Sequence, residues 1–573
     1  MKKSTKALSL LLGAVMACGG LAACGGGDKV QVDEKTIVVK CRRAGFGTDW
    51  LYELKGHFEA AYADQGYKVH IMTPDNAIKD DVLVKELYYG YENTNVDLYI
   101  SSGATPDKVG ELGDYGILVE EIGDLVYNQP AISYEGVEED RLISEKISAD
   151  ILPYMTDSTG KVYAYNWAQS SGGLAVNTKK LAKYNLEIPK TTNEMFDCFD
   201  KIYCGYNGID NSIESGTYPI TYISGSNGYG LVFLWAMMAQ YDKDFFNEFW
   251  SFQTTGEDGQ VTNMADADCQ NLYKHPAMSE MLSVAFRAFD GNIAANGSLS
   301  QGVDQAQAKI MGEGDDAIFM FNGDWMLNEV KLNYRENLHD IDFMNFPVVS
   351  ALGVKLFGAG TAYGLDEAKC DELLSFIIDL VDENKEIDEI IAAVKAEKNI
   401  DITEADAKEV ARARGVTYSR GVEHVAYITK GTTKKDIVAL FLRMMSSNDF
   451  GETFNRVANG SSPYCAMENT TSDYKFVKNA SKIASNKYFS LVSTFGGVRG
   501  YRKQLNISQF FTTVSHVPDH ISSKSTATIY TEMGGKNGNN ISVYRAAATQ
   551  LINEEVANLV KNWEQYKNSA GLK

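Results

Sequence analysis

The stretch Lys161–Lys183, KVYAYNWAQSSGGLAVNTKKLAK, decides how the rest of this chain is interpreted. Its first five residues predict a short extended segment, and Gly172-Gly173 then loosens the backbone. A strand-like Leu174–Asn177 follows and leads into a helical pattern. Two extended pieces separated by a polar, serine-containing link predict a segment that crosses between structural units.

Length and composition favour a large folded protein. The chain has 573 residues with 44% hydrophobic content, which predicts about two to four structural units. Its formal net charge is −22. Nucleic acid is therefore not an expected partner, because phosphate backbones are bound through Lys and Arg. A strongly acidic surface is typical of a soluble extracellular protein.

The N-terminus predicts export. Three lysines in the first six residues precede the apolar run Ala7–Ala17, which is too short to cross a bilayer core of about 30 Å. Leu21–Cys24 then resembles a bacterial lipobox, with Val15–Cys18 as a poorer competitor. The resemblance implies a signal peptide over residues 1–24, lipid attachment at Cys24 and contact with the membrane through that lipid only. The expected location is the extracellular face of a cell membrane, in a Gram-positive bacterium.

The remaining cysteines are scattered, and none forms a metal-type Cys-x-x-Cys pair. They are Cys41, Cys198, Cys204, Cys269, Cys370 and Cys465. An exported chain permits disulfides. We nevertheless expect mostly buried free thiols.

Residues 36–103 alternate between strand and helix patterns. The predicted elements are a strand at 36–41, a helix at 49–65, a strand at 67–73, a helix at 80–92 and a strand at 96–100. This βαβαβ order predicts a parallel sheet with right-handed crossovers. Ligands of such sheets lie outside the carboxyl ends of the strands.

Two loops follow these predicted strand ends. Trp50, in the loop after the first strand, is a candidate for stacking on a sugar ring; alternatively it is the first apolar position of its helix, pinned to the sheet. Ser101 and Ser102 supply hydroxyl and N–H groups to a ligand, or form a simple turn.

The segment Ile310–Trp325 predicts a helix end, a buried strand and a tight turn. Gly323 allows the sharp turn, which presents Asn322, Asp324 and Trp325 at the carboxyl end of the strand. An aromatic ring beside an amide and a carboxylate can hold a sugar by one face and several hydroxyl groups. The alternative is a tryptophan that caps the core beneath the cleft.

Later segments give further predictions. Phe346–Tyr363 is expected to form a strand region, and residues of about 370–420 a charged helical insertion. Val422–Lys430 is predicted to be a crossing strand, and Thr432–Met445 a helix. Gly460–Pro463 marks another crossing.

Taken in order, the lipobox, the first crossing, the Gly-x-Trp turn, the helix at 432–445 and the last crossing resemble extracellular solute-binding proteins of family 1, the lipoproteins of carbohydrate ABC transporters. The match at the first crossing continues through Ile188–Thr192. The departures are Asn166, where proline is usual, and Val176, where an aromatic residue is usual.

The resemblance implies a two-lobed α/β fold of the periplasmic-binding-protein type II class. Each lobe is expected to be a mainly parallel sheet flanked by helices, with three crossings between lobes. The first lobe is expected at 28–165 plus 424–456, and the second at 166–423 plus 457–573.

The resemblance also implies further ligand-binding residues. Trp167 and Ser170 fall where relatives often contact ligand, the latter at a position that is acidic in the maltose-binding branch. Packing at the hinge is the alternative role for Trp167. Asn227 and Tyr229 belong to a Gly/Ser loop that relatives use as part of the second lobe's binding wall.

The expected function is capture of a carbohydrate, an oligosaccharide, and its delivery to an ABC transporter permease by a monomer. No catalytic or metal motif is found, so we expect no enzyme, no cofactor and no metal. Three alternatives stay open: the same fold binding a peptide or other polar ligand, a sensor, and a secreted glycoside hydrolase, which needs only two carboxylates.

Overall fold

The computed structural model describes residues 30, 32–42, 45–73, 80–102, 118–157, 160–204, 217–223, 229–290, 293–312, 316–331, 333–418, 424–465, 467, 470–493, 500–507 and 542–572.

Strands are numbered in chain order over these residues. They are β1 (Thr36–Cys41), β2 (Lys68–Met72), β3 (Leu98–Ser102), β4 (Pro130–Ile132), β5 (Glu138–Leu142), β6 (Tyr165–Asn166), β7 (Gly172–Asn177), β8 (Thr217–Thr221), β9 (Gln253–Thr255), β10 (Val261–Asn263), β11 (Asp316–Gly323), β12 (Ile341–Met344), β13 (Val416–Tyr418), β14 (His424–Ile428) and β15 (Ser490–Val492).

Helices are numbered in the same way. They are α1 (Asp49–Ala61), α2 (Asp80–Tyr89), α3 (Tyr91–Thr94), α4 (Ile143–Lys146), α5 (Thr178–Lys183), α6 (Thr192–Cys204), α7 (Tyr229–Tyr241), α8 (Lys243–Ser251), α9 (Asp266–Asn271), α10 (Pro276–Ala288), α11 (Val303–Met311), α12 (Met326–Val330), α13 (Ala351–Phe357), α14 (Glu367–Asp382), α15 (Ile387–Lys398), α16 (Glu404–Gly415), α17 (Lys435–Met445), α18 (Asn448–Ala458), α19 (Lys475–Ser485), α20 (Gly500–Gln504) and α21 (Ser542–Ser569).

The first sheet has the strand order β2-β1-β3-β14-β6. β1 runs parallel to both β2 and β3, which confirms the βαβαβ unit expected from the sequence. β14 runs antiparallel to β3 and to β6. Four of its five strands, β1, β2, β3 and β6, therefore run in the same direction, as expected for a mainly parallel sheet, and β14 runs in the opposite direction.

The second sheet has the order β12-β7-β11-β8. β7 is antiparallel to both of its neighbours, and β11 is parallel to β8. Three of its four strands, β8, β11 and β12, run in the same direction, and β7, which follows the link from the first sheet, runs in the opposite direction. Leu174, Ala175 and Val176 are fully buried, as a strand covered on both faces requires.

The insertion predicted at about 370–420 contains α14, α15 and α16. These helices share an apolar core of their own, to which Leu374, Ile377, Ile390 and Val410 contribute fully buried side chains. Thr403 begins α16 with a capping box. Nothing in the structure tests the predicted lobe boundaries, which stay a prediction, as does the number of crossings between lobes.

One sequence expectation about the second lobe is wrong. The region Phe346–Tyr363 contains the helix α13, and the strand lies earlier, at Ile341–Met344. Short apolar runs do not separate strand from helix by periodicity alone. Val348 and Val349 lie in a connection that hydrogen-bonds to Lys190 and Gln240 instead of joining the sheet.

Asp97 ties the first sheet to the helix that follows β14. Its carboxylate accepts hydrogen bonds from the Val38 N–H at 2.7 Å and from the Thr432 hydroxyl. Lys434 Nζ lies 3.3 Å from the same carboxylate and also donates to the Thr36 carbonyl. Asp97 and Lys434 are both buried, so this ion pair is shielded from water.

Within the described ranges, no helix is both long and apolar enough to cross a membrane.

Replacing Asp97 by alanine is expected to lower the free energy of unfolding by about 3 kcal/mol or more, because the Lys434 ammonium would stay buried without its partner. The measurement is the unfolding midpoint in a thermal or urea melt. Lys408→Ala, which breaks the exposed pair with Glu404, is the control and should change stability by less than about 1 kcal/mol. Equal losses in the two variants would contradict the role given to Asp97.

Candidate functional site

The link between β6 and β7 lies at the seam of the two sheets. The Trp167 N–H donates to the His424 carbonyl at 3.0 Å, and the Gln169 N–H donates to the Ser461 carbonyl at 2.9 Å. The Ser171 carbonyl accepts the Asp324 N–H at 3.0 Å. Alternate residues of the link are thus bound to three separate parts of the chain. The predicted crossing segment is confirmed as the place where the two sheets are joined.

The second sheet supplies one wall of this seam, at the carboxyl end of β11. Gly323 pairs with Gly172 across the antiparallel ladder. A Cβ at Gly323 would lie 2.0 Å from the Trp325 ring, so only glycine lets the ring fold back over the strand end. Trp325 is 5% exposed.

The loop after β1 supplies the opposing wall. A Cβ at Gly45 would lie 3.5 Å from Trp325 Cβ and 3.2 Å from Glu329 Oε1, which places this loop directly against the second wall. Nearby, the Asn328 amide donates to the Ala458 carbonyl, and the Asn459 amide donates to Asn328 Oδ1 at 3.0 Å. The two walls are in contact here, so the structure is closed around Trp325.

Asp324 is the buried acid of the site. The residue is 2% exposed, and its Oδ1 atom has no hydrogen-bond partner among the residues that the structure describes. Burial raises the pKa of this carboxyl to about 8, although backbone N–H groups of Ser171 and Trp325 favour the ionised form and lower the pKa. At neutral pH the carboxyl is therefore mainly protonated.

Hydroxyl groups surround the link. Ser170 and Ser171 are buried, and neither Oγ atom finds a partner in the described part of the chain. The Ser102 Oγ is likewise buried and unpaired there. Buried polar atoms in folded proteins are nearly always satisfied, so groups left open at a seam indicate a place for water or a ligand. Asn322 is also buried, and its Oδ1 accepts the Gly323 N–H at 2.8 Å.

Trp50 and Trp167 form an aromatic floor beneath the seam. Their rings stack at a centroid distance of 5.1 Å with 15° between the planes, and both are fully buried. The Trp50 Nε1 donates to the Gly47 carbonyl, and the Trp167 Nε1 donates to the Ser101 carbonyl at 2.8 Å. In this conformation each ring covers the other. In this structure both rings have a packing role, and stacking on a ligand stays a prediction for both.

Some predicted residues are not placed. Asn227 and Cys24 lie outside the described residues, and only the backbone of Tyr229, the first residue of α7, is described. Among the described residues, no three His, Cys, Asp or Glu side chains gather as a metal ion would require.

Sequence reasoning did not single out several residues at the seam. Phe46 contacts Trp167 edge-on at 6.1 Å, and the His424 ring lies 5.0 Å from the Trp167 ring. Phe454 packs edge-on against Trp50 at 5.6 Å. Ser171, which the sequence reasoning also missed, could have been found because it is adjacent to Ser170. No local signal marks His424 or Phe454, because their importance comes only from the fold.

The pKa of Asp324 predicts a pH effect on stability. The folded protein keeps a proton that the unfolded chain releases above about pH 4, so the unfolded state binds fewer protons and stability falls as the pH rises from about 4 to about 8. Asp324→Asn cannot ionise, so its melting temperature should exceed that of the wild type by a margin that grows across this window.

The exposed residue Asp304 provides the matched control, Asp304→Asn. Thermal melts at pH 4.5, 6 and 8 make the comparison. A margin for the Asp324 variant that stays constant with pH would contradict the raised pKa.

No protein-family model matches this chain, and no curated protein matches it. Solved structures do match. A probable secreted solute-binding lipoprotein from Streptomyces coelicolor is 12% identical, with 91% of this chain and 99% of that chain covered and a TM-score of 0.50.

Two more matches have lower TM-scores. RafE, solved in complex with raffinose, is 13% identical, with 90% of this chain and 99% of that chain covered and a TM-score of 0.47. A chitin oligosaccharide binding protein is 12% identical, with 92% and 100% covered and a TM-score of 0.48. Identity this low supports a statement about fold and none about ligand. From the S. coelicolor match, the chain has the two-lobed α/β fold of solute-binding proteins.

Proposed function

We propose that this protein is an extracellular solute-binding protein that captures a carbohydrate, an oligosaccharide, and delivers it to the permease of an ABC transporter. It acts as a monomer, and lipid on Cys24 anchors it to the outer face of the membrane. The fold supports a binding role, and the residues at the seam support a sugar as the ligand.

The observation that carries the proposal is the mixture of groups at the seam. Trp325 offers an aromatic ring, Asn322 an amide and Asp324 an acid, all at the end of one strand. Ser170 adds a buried hydroxyl that has no partner among the described residues. Sugars present apolar C–H faces and many hydroxyl groups, so one stacking ring beside several polar groups suits them.

Hinge motion gives ligands a way in. The contact between the Gly45 loop and Trp325 must break for the ring to be reached. Rotation about the link at 167–171 separates the walls, and a sugar then replaces the Gly45 contact on the ring. A ligand that contacts both walls favours the closed state, which the permease recognises.

The remaining predicted residues complete the proposed site. Ser101 and Ser102 approach the ligand from the first wall, and Asn227 and Tyr229, whose side chains lie outside the described part of the chain, stay predicted ligand contacts. Trp50 and Trp167 form the floor, which the ligand reaches only if the stacked pair opens. No covalent step is part of the proposed mechanism.

The test is a thermal-shift screen of residues 25–573 against mono- and oligosaccharides, with peptides and polyamines as controls. A ligand that binds only the folded state stabilises it by about 2.7 kcal/mol at a hundredfold excess over Kd. At least one sugar is expected to raise the melting temperature. Trp325→Ala should lower the affinity for that sugar by about tenfold or more, because the stacking face is lost.

Tyr88→Ala is the matched control, because Tyr88 is 67% exposed on α2 and lies outside the proposed site. Circular dichroism checks that both variants fold. A shift with a peptide and with no sugar would refute the carbohydrate proposal while leaving the fold intact. Cleavage of a glycan during the screen would instead make the protein a hydrolase.

A further inference from the structure

Asp324 stands apart from the other polar groups of the seam because it can carry charge. Burial raises the pKa of its carboxyl and backbone N–H groups lower it, and no charged side chain of the described residues contributes to the shift. Ser171 and Trp325, whose backbone N–H groups reach the Asp324 carboxyl, have uncharged side chains. The acid next along the chain, Glu329, is held by the Gln307 amide at 2.6 Å.

We propose that Asp324 makes this site select sugars by charge, so that a sugar unit carrying an amine binds more tightly than the matching neutral unit, and a unit carrying a carboxylate is excluded. The inference rests on the carbohydrate-binding function proposed above and narrows it to a class of sugar.

An ammonium group supplies what the buried acid lacks. It donates a hydrogen bond to the open Oδ1 atom, and hydrogen bonds between charged groups are about twice as strong as neutral ones. Its positive charge favours the ionised carboxylate, so Asp324 releases its proton to solvent as the amine binds. The neighbouring Ser170 and Ser171 hydroxyls can accept further N–H groups of the ammonium. The ion pair is then fully hydrogen-bonded, which a buried pair needs to be favourable.

A neutral sugar gains less from the same atoms. Asp324 stays protonated, and a hydroxyl of the ligand makes an ordinary neutral hydrogen bond with it. A carboxylate on the sugar would be buried beside a second carboxyl, and like charges in a water-poor site repel strongly. The order of affinity should therefore be amine, then hydroxyl, then carboxylate.

Isothermal titration at about pH 6.5 tests this order. The probes are gluco- and galacto-configured oligosaccharides of two to four units in α- and β-linked form, each as the neutral sugar, the 2-amino-2-deoxy sugar and the uronic acid. For the oligosaccharide configuration and linkage that binds, the amino form is expected to bind about tenfold more tightly than the neutral form. The uronic acid is expected to give no measurable heat. Asp324→Asn, which keeps the shape and loses the charge, should reduce the amine-to-hydroxyl ratio to about one.

Ser170→Ala is the comparison variant, because it removes a hydroxyl without changing charge. It should weaken the binding of both forms but leave the amino form the tighter of the two, because the Asp324 carboxylate is still present. If the neutral form binds as well as the amino form, or if Asp324→Asn leaves the ratio unchanged, selection by charge is refuted while carbohydrate binding stands. If no sugar of the panel binds, both proposals fail.

Discussion

Three backbone hydrogen bonds hold the link Trp167–Ser171, and each comes from a different part of the chain. The N–H of Trp167 donates to the carbonyl of His424 in β14, and the N–H of Gln169 donates to the carbonyl of Ser461. The carbonyl of Ser171 accepts the N–H of Asp324, the residue after β11. A short link fixed at alternate residues has little freedom except to twist as a whole. The relative position of the two sheets, and with it the shape of the site, depends on this short piece of backbone.

That constraint explains why the residues of the proposed site are buried and its two walls are in contact. With the link fixed, the Gly45 loop meets Trp325, and Asp324 is removed from water at the end of β11. The raised pKa is a consequence of the same geometry, since the neighbouring backbone N–H groups only partly replace the lost hydration. The raised pKa of Asp324 and the contact between the two walls therefore have the same structural cause.

Local sequence predicted much of this. The βαβαβ unit was predictable because strand and helix periodicities alternate over 36–103 within a short stretch, and Asn322–Trp325 because its residues are contiguous. The antiparallel directions of strands β7 and β14 were not predictable, since the direction of a strand depends on which end of the sheet the preceding segment of the chain leads to. The burial of Asp324 was not predictable either, because Ser171 and the Gly45 loop are more than a hundred residues away in the sequence. Trp50 shows the same limit: its partner Trp167 is distant along the chain, and only the fold brings the two rings together.

The stacked pair of Trp50 and Trp167 has an optical consequence. Two indole rings 5.1 Å apart and 15° from parallel share their electronic excitations, and one ring is hydrogen-bonded to the loop after β1 and the other to β3. Trp167 also begins the link between the sheets. Any rotation of the link that moves Trp167 relative to Trp50 changes the angle between the rings, and the ultraviolet circular dichroism of the protein would then report that movement without an added label.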